Sequence, residues 1–199
     1  MTISEACHQL GDPRSDDWAK TLATRVETAA HTVEELRYPR DFDSDVWESR
    51  WHVLYGLADD ELPGLGAAIY EAMHDPMQWQ PYAAAARTMA GIHAAGVPIA
   101  IVSNTGWDVR TVFVAHHLDP LVSAYVLSYE VGAVKPATAV FDAACNALGV
   151  PANNCLMVGD DARADAGAVA AGLLVLLLPA LAPGGDNGLD AALRIVTGV

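Results

Sequence analysis

Apolar positions along the chain recur with two different periods, and the change falls near Trp79-Gln80-Pro81. Upstream, Trp18, Leu22, Val26, Ala29, Ala30, Val33 and Leu36 are spaced close to one helical turn apart, which predicts a helix over Trp18 to Leu36. Val46 to Leu57 brings Trp47, Trp51, Leu54 and Tyr55 to one side, and Leu62 to Met73 repeats the arrangement with Leu65, Ile69 and Met73. No β-branched alternating run interrupts these segments, so residues 1–80 read as a small bundle of helices.

From Pro81 onward, strand and helix patterns alternate. A helix through Ala83 to Ala95 stops at Gly96, and Val97 to Val102 is a short, continuously apolar run of the kind a strand covered on both faces requires. Asp108 can cap a helix reaching about His117, and Tyr125 to Leu127 is a second strand. Val140, Phe141, Ala144, Cys145 and Leu148 form one face of a helix closed by Gly149. Cys155 to Val158 is a third strand, Ala162 to Ala171 a helix stopped by Gly172, and Leu173 to Leu178 a fourth strand. Strands separated by helices predict an α/β fold with a doubly wound parallel sheet over residues 81–199.

Composition narrows the functional classes. The chain has 199 residues, 52% of them hydrophobic and 18% charged, as expected of a globular protein with a sizeable core. The longest strongly apolar run, Leu173 to Leu178, is too short to span a bilayer, and Met1 to Pro13 shows no signal-peptide pattern, so a cytoplasmic protein is expected. The net charge of −14 repels phosphate backbones and anionic lipid, so neither nucleic acid nor membrane is an expected partner. Residues 1–80 contribute 16 acidic and 6 basic residues, which places most of that excess on solvated helix faces. A homodimer stays open. Cys7, Cys145 and Cys155 are odd in number and widely spaced, so they suggest neither a disulfide framework nor a metal site.

In open α/β sheets, ligands bind beyond the carboxyl ends of the strands. That rule picks out Ser103-Asn104-Thr105-Gly106 after the first strand and Gly159-Asp160-Asp161 after the third. Gly132-Ala133-Val134-Lys135-Pro136 lies between them in sequence. Ser103 and the amides that follow can donate to phosphoryl oxygens, and Lys135 can balance the charge of a phosphate and a carboxylate. Asp160, with Asp161 or Asp165, offers hard oxygen ligands suited to Mg²⁺. Singly, each stretch reads as a turn, a surface lysine or a helix cap; their order at strand ends points to one site. Lys135 and Lys20 are the only lysines against nine arginines.

These strings resemble motifs II, III and IV of the haloacid dehalogenase-like (HAD) hydrolase superfamily. The match runs through Ile101-Val102-Ser103-Asn104, then Ser128 to Pro136, then Val158 to Asp165, whose Gly-Asp-x4-Asp spacing is a recurrent family form. Residues 1–80 resemble much of the helical cap that such proteins carry. The resemblance implies a Rossmann-like core, Mg²⁺ as cofactor, and hydrolysis of a small phosphorylated molecule through an aspartyl-phosphate. Position by position, it implies Ser103 and Asn104 for phosphoryl binding and Lys135 for steadying nucleophile and phosphate. It assigns Asp160 to the metal, with Asp161 and Asp165 in support.

The family's motif I, an Asp-x-Asp ending the first strand, has no counterpart in the pattern. The nearest string, Asp41-Phe42-Asp43, follows a charged, proline-broken flank and reads as a polar turn or helix start. Loss of a mid-sheet strand would leave two unpaired edges within the core. Covalent phosphoryl transfer also needs an attacking group, so the chain is expected to be inactive or nearly so. Three explanations stand open: a start upstream of Met1, which is the simplest, a degenerate relative that binds without turnover, or a strand supplied by another polypeptide. A phosphoacceptor receiver domain uses similar groups, but there the acidic pair precedes the hydroxyl and lysine, whereas here it comes last. Trp107 and the tryptophans of residues 1–80 are expected to pack, His116-His117 to end a helix in solvent, and Pro183 to Asn187 to form a loop.

Overall fold

A computed structural model describes residues 3–182 and 184–198, and it divides the chain into two compact units at Trp79–Gln80. Pro183, at the start of the expected loop, lies outside the described residues.

The first unit is helical: α1 (Ile3–Gln9), α2 (Asp16–Ala30), α3 (Ser44–Gly56) and α4 (Leu65–His74). Its core joins Ala6 and Cys7 of α1, Leu22 and Val26 of α2, Leu54 of α3, and Leu65 and Ile69 of α4. α2 starts where the Ser15 side chain accepts from Trp18 N, and Asp16 and Asp17 fill its first turn, where carboxylates suit the helix dipole. α3 starts where Asp43 accepts from Asp45 N and Val46 N at 2.9 and 3.0 Å. Asp41-Phe42-Asp43 is thus a 3-10 turn (Arg40–Phe42) running into a helix cap. α3 and α4 approach closely at Gly66, where a Cβ would stand 2.7 Å from the Tyr55 carbonyl oxygen.

The helix expected over Trp18 to Leu36 is shorter, ending at Ala30. Thr32 explains the break: its hydroxyl donates to Ala29 O and accepts from Glu35 N, a local alternative to the helical ladder. The chain beyond turns Glu35 inward, where it meets Arg50 at 2.5 Å and Arg40 at 3.8 Å, and leaves Val33 and Leu36 exposed.

The second unit is α/β. Its order is α5 (Ala85–Ala94), β1 (Ala100–Ser103), α6 (Arg110–Ala115), β2 (Ala124–Leu127), α7 (Ser128–Val131), α8 (Thr138–Leu148), β3 (Leu156–Gly159), β4 (Leu174–Leu177) and α9 (Asp190–Thr197). β1 pairs in parallel with β2, Ala100 opposite Ala124 through Ser103 opposite Leu127. β3 pairs in parallel with β4, Leu156 opposite Leu174 through Gly159 opposite Leu177. Among the described residues these are two separate two-stranded sheets. Val126, Val140, Phe141, Ala144 and Ala168 form the buried core, while every residue of β1 and β3 is only half-buried.

The helix expected over Ala162 to Ala171 is instead a 3-10 turn at Asp165–Val169. Gly167 lies against Pro136, where a Cβ would come within 2.6 Å of the proline Cβ. α9 has no counterpart among the expected elements.

Candidate functional site

The site grows from the carboxyl ends of β1 and β3. β1 ends at Ser103, whose hydroxyl has no hydrogen-bond partner among the described residues. The next residue forms a reciprocal clamp: Asn104 Nδ2 donates to Lys135 O at 3.0 Å, and Lys135 N donates to Asn104 Oδ1 at 2.7 Å. The Asn104 side chain is therefore engaged with the Lys135 backbone, which it positions. Ser128 makes a second staple, accepting from Thr105 N at 2.9 Å and donating to Thr105 O at 3.1 Å. The loop after β1 is thus tied to both connections that follow β2.

From this backbone, Lys135 Nζ donates to Asp165 Oδ1 at 2.7 Å. Asp165 is buried, and its second oxygen accepts from Asp161 N at 3.0 Å. Each oxygen of Asp165 thus accepts from a protein donor, and the carboxylate is the counter-charge that holds the ammonium. β3 ends in glycine because Asp165 needs the space: a Cβ on Gly159 would overlap its carboxylate. Asp161 turns its own carboxylate back to Arg163 N at 2.8 Å and Ala164 N at 3.3 Å, shaping the loop.

Asp160 differs from both. It is exposed, and its Oδ2 accepts from the Tyr82 hydroxyl at 3.0 Å, while Leu181 N donates to that hydroxyl at 3.3 Å. Its other oxygen is open. Mg²⁺ ordinarily takes one or two carboxylates and completes its shell with water and phosphate oxygens. Asp160 fits that part. The three-acid set does not assemble, and among the described residues no group of three metal-binding side chains stands together. Tyr82 went unforeseen, since nothing in its flank marks it before the fold brings it to Asp160.

Cys7 and Cys145 are buried, and Cys155 is half-buried. Cys7 is fully buried, and burial raises its thiol above the ordinary range. Cys145 Sγ lies 3.6 Å from Cys155 Sγ, and burial pushes the Cys145 thiol up to about 11. Trp107 belongs to the loop after β1, where Thr105 Oγ1 accepts from its N at 3.2 Å. His116 follows α6 with a buried Nε2 that has no hydrogen-bond partner among the described residues, and is not a solvated end. Beside the loop, Arg110 grips Glu130 with two bonds of 2.7 and 2.8 Å, and this holds the Glu130 carboxyl below its usual range.

Comparison with known proteins places the chain. The haloacid dehalogenase-like hydrolase family model matches residues 2–172, so the chain belongs to that family. An uncharacterized hydrolase of Schizosaccharomyces pombe is 37% identical over 76 residues, 35% of this chain and 33% of that protein, so the match spans about a third of the curated relative. The magnesium-bound HAD-hydrolase YfnB of Bacillus subtilis has a TM-score of 0.68 at 19% identity, covering 96% of this chain and 87% of that one. A HAD phosphatase of Thermococcus onnurineus gives 0.60 at 17% identity, over 98% and 86%. At these identities the structures establish the Rossmann-like α/β fold.

Proposed function

We propose that the site is the phosphate- and metal-binding part of a Mg²⁺-dependent phosphatase for a small phosphorylated metabolite. By itself, this chain binds such a ligand with little or no turnover. The observation that carries the reading is Lys135, clamped through its backbone by Asn104 and through its ammonium by buried Asp165, at the strand ends that also present Ser103 and Asp160. An ammonium has three donors, and Asp165 takes one. The others are available to a phosphoryl oxygen, as is the Ser103 hydroxyl. Asp160 would hold Mg²⁺ through its open oxygen, and the ion would supply charge neutralisation to the phosphoryl group.

What the reading lacks is an attacking carboxylate. Among the described residues no strand ends in Asp-x-Asp, and Asp43 of the nearest such string caps α3. Titration of the purified chain with inorganic phosphate in Mg²⁺ is the test. Saturable binding is expected, weakened about tenfold or more by Lys135→Ala, the scale of a lost charged hydrogen bond. Hydrolysis of p-nitrophenyl phosphate should stay at background. No phosphate binding would remove the site, and Mg²⁺-dependent turnover abolished by Asp160→Ala would overturn the non-catalytic part.

A further inference from the structure

Two of the three cysteines meet in the α/β unit. Cys145 lies in the last turn of α8, and Cys155 stands just ahead of β3, ten positions further on. The chain between them folds back through two tight turns. Gly149 takes the left-handed conformation, φ 65°, that closes α8, and Val150 N donates to Cys145 O at 3.1 Å. Pro151 O and Ala152 O then accept from Asn154 N at 2.9 Å and Cys155 N at 3.0 Å. These bonds bring the two Sγ atoms to 3.6 Å, which is van der Waals contact.

A disulfide bond spans about 2 Å, so the two thiols stand about 1.5 Å short of one. Cys145 is fixed by its helix, whereas Cys155 leaves a short 3-10 turn (Ala152–Asn154) that can take up such a movement. The two thiols differ in access. Cys145 is only 8% exposed, and burial, with Cys155 beside it, holds its thiol in the protonated form. Cys155 is half-buried, its Sγ bordered by Pro151 O at 3.5 Å and Val150 O at 3.8 Å. A small solute therefore meets Cys155 first. The pair stands at the amino end of β3, and Asp160 follows its carboxyl end, so these sulfurs are separate from the proposed phosphate site.

We infer that Cys145 and Cys155 form a redox-modification site, at which a small hydroperoxide oxidises the pair to a disulfide within the native fold. Cys155 Sγ attacks one peroxide oxygen, the O–O bond breaks, and the departing hydroxide leaves as water with the Cys155 thiol proton. Cys155 is then a sulfenic acid. Cys145 Sγ attacks Cys155 Sγ, the S–O bond breaks, and the hydroxyl leaves as a second water with the Cys145 proton. The two sulfurs have passed two electrons to the peroxide. The new bond ties the last turn of α8 to the entry of β3. Cys7, wholly buried in the helical unit, takes no part.

The test treats the full chain with a small excess of hydrogen peroxide, removes the oxidant with catalase, and counts thiols in denaturant. The count should fall from three to one, and the mass by about 2 Da for the two hydrogens lost. Chymotrypsin, which cuts after Leu148, should then release a Cys145 peptide linked to a Cys155 peptide, and dithiothreitol should separate them. Far-UV circular dichroism should be unchanged. In Cys145→Ser the sulfenic acid should persist on Cys155 and be captured by dimedone, and in Cys155→Ser neither product should form. Three thiols after treatment, dimedone capture on Cys155 of the native chain without a disulfide, or disulfide-linked dimers would overturn the inference. So would a bond that forms only with loss of the circular dichroism signal, because the fold would then have opened first.

Discussion

The helical unit and the α/β unit cover their apolar surface to different degrees. In residues 3–79, Leu65 and Ile69 of α4 are almost wholly buried, and α1 to α4 share one continuous core. In residues 80–198, Phe141 and Val140 are as well buried on α8, yet β1 and β3 are half-exposed at every position. A helix satisfies its backbone internally and needs neighbours only for its apolar stripe. A strand needs partners for backbone and side chains alike. A unit of helices can therefore close on itself, whereas a sheet short of a strand stays open along two edges.

Substitutions that delete apolar volume should break this comparison most visibly. Leu65→Ala in the helical unit should cost about 2–5 kcal/mol, whereas Val102→Ala should cost about 1 kcal/mol, because it removes a smaller side chain from a half-buried position. Urea unfolding of both variants checks this, and equal losses would mean that β1 is already packed on its free side.

Next in size are the two buried carboxylates, one per unit. Glu35 lies against Arg50 and Arg40, and Asp165 against Lys135. Glu35→Gln and Asp165→Asn should each destabilise by about 3 kcal/mol, since each leaves a partly buried cation without its counter-charge. Phosphate titration separates them: only Asp165→Asn should alter binding, because only its partner belongs to the proposed site.

The smallest effect is electrostatic and confined to the α/β unit. Bonds from Arg110 lower the Glu130 carboxyl pKa, so the pair stabilises the fold above the ordinary carboxylate range. That contribution fades as the pH falls through the lowered value. The pair is about one-third exposed, so the loss should be under about 1 kcal/mol. Comparing native chain and Glu130→Gln in urea at neutral and acidic pH measures it, and a difference that grows on acidification would have the wrong sign.

Much of the α/β unit was legible because its strands are short, continuous apolar runs that stop at Gly, Asp or Ser. Ser103 and Asp160 stand at the ends of β1 and β3, where the apolar runs stop in the sequence. The break after Ala30 was hidden, since Val33 and Leu36 continue the helical spacing while a single hydroxyl on Thr32 competes for the backbone. The close approach of Gly167 in the Asp165–Val169 turn to Pro136 joins residues far apart in the chain, which no local pattern encodes. The acids shared one feature in sequence and took three roles in the fold. Asp165 pairs with a cation, Asp161 shapes a loop, and Asp160 accepts from the Tyr82 hydroxyl.

The Asn104 clamp recognises position 135 as one base recognises another, by matching a donor and an acceptor, and it is blind to the side chain found there. Where residue 135 sits is decided on one loop, and what it carries is decided on another. The backbone of residue 135 is thus held by Asn104 and its ammonium by Asp165, two separate contacts on two separate loops.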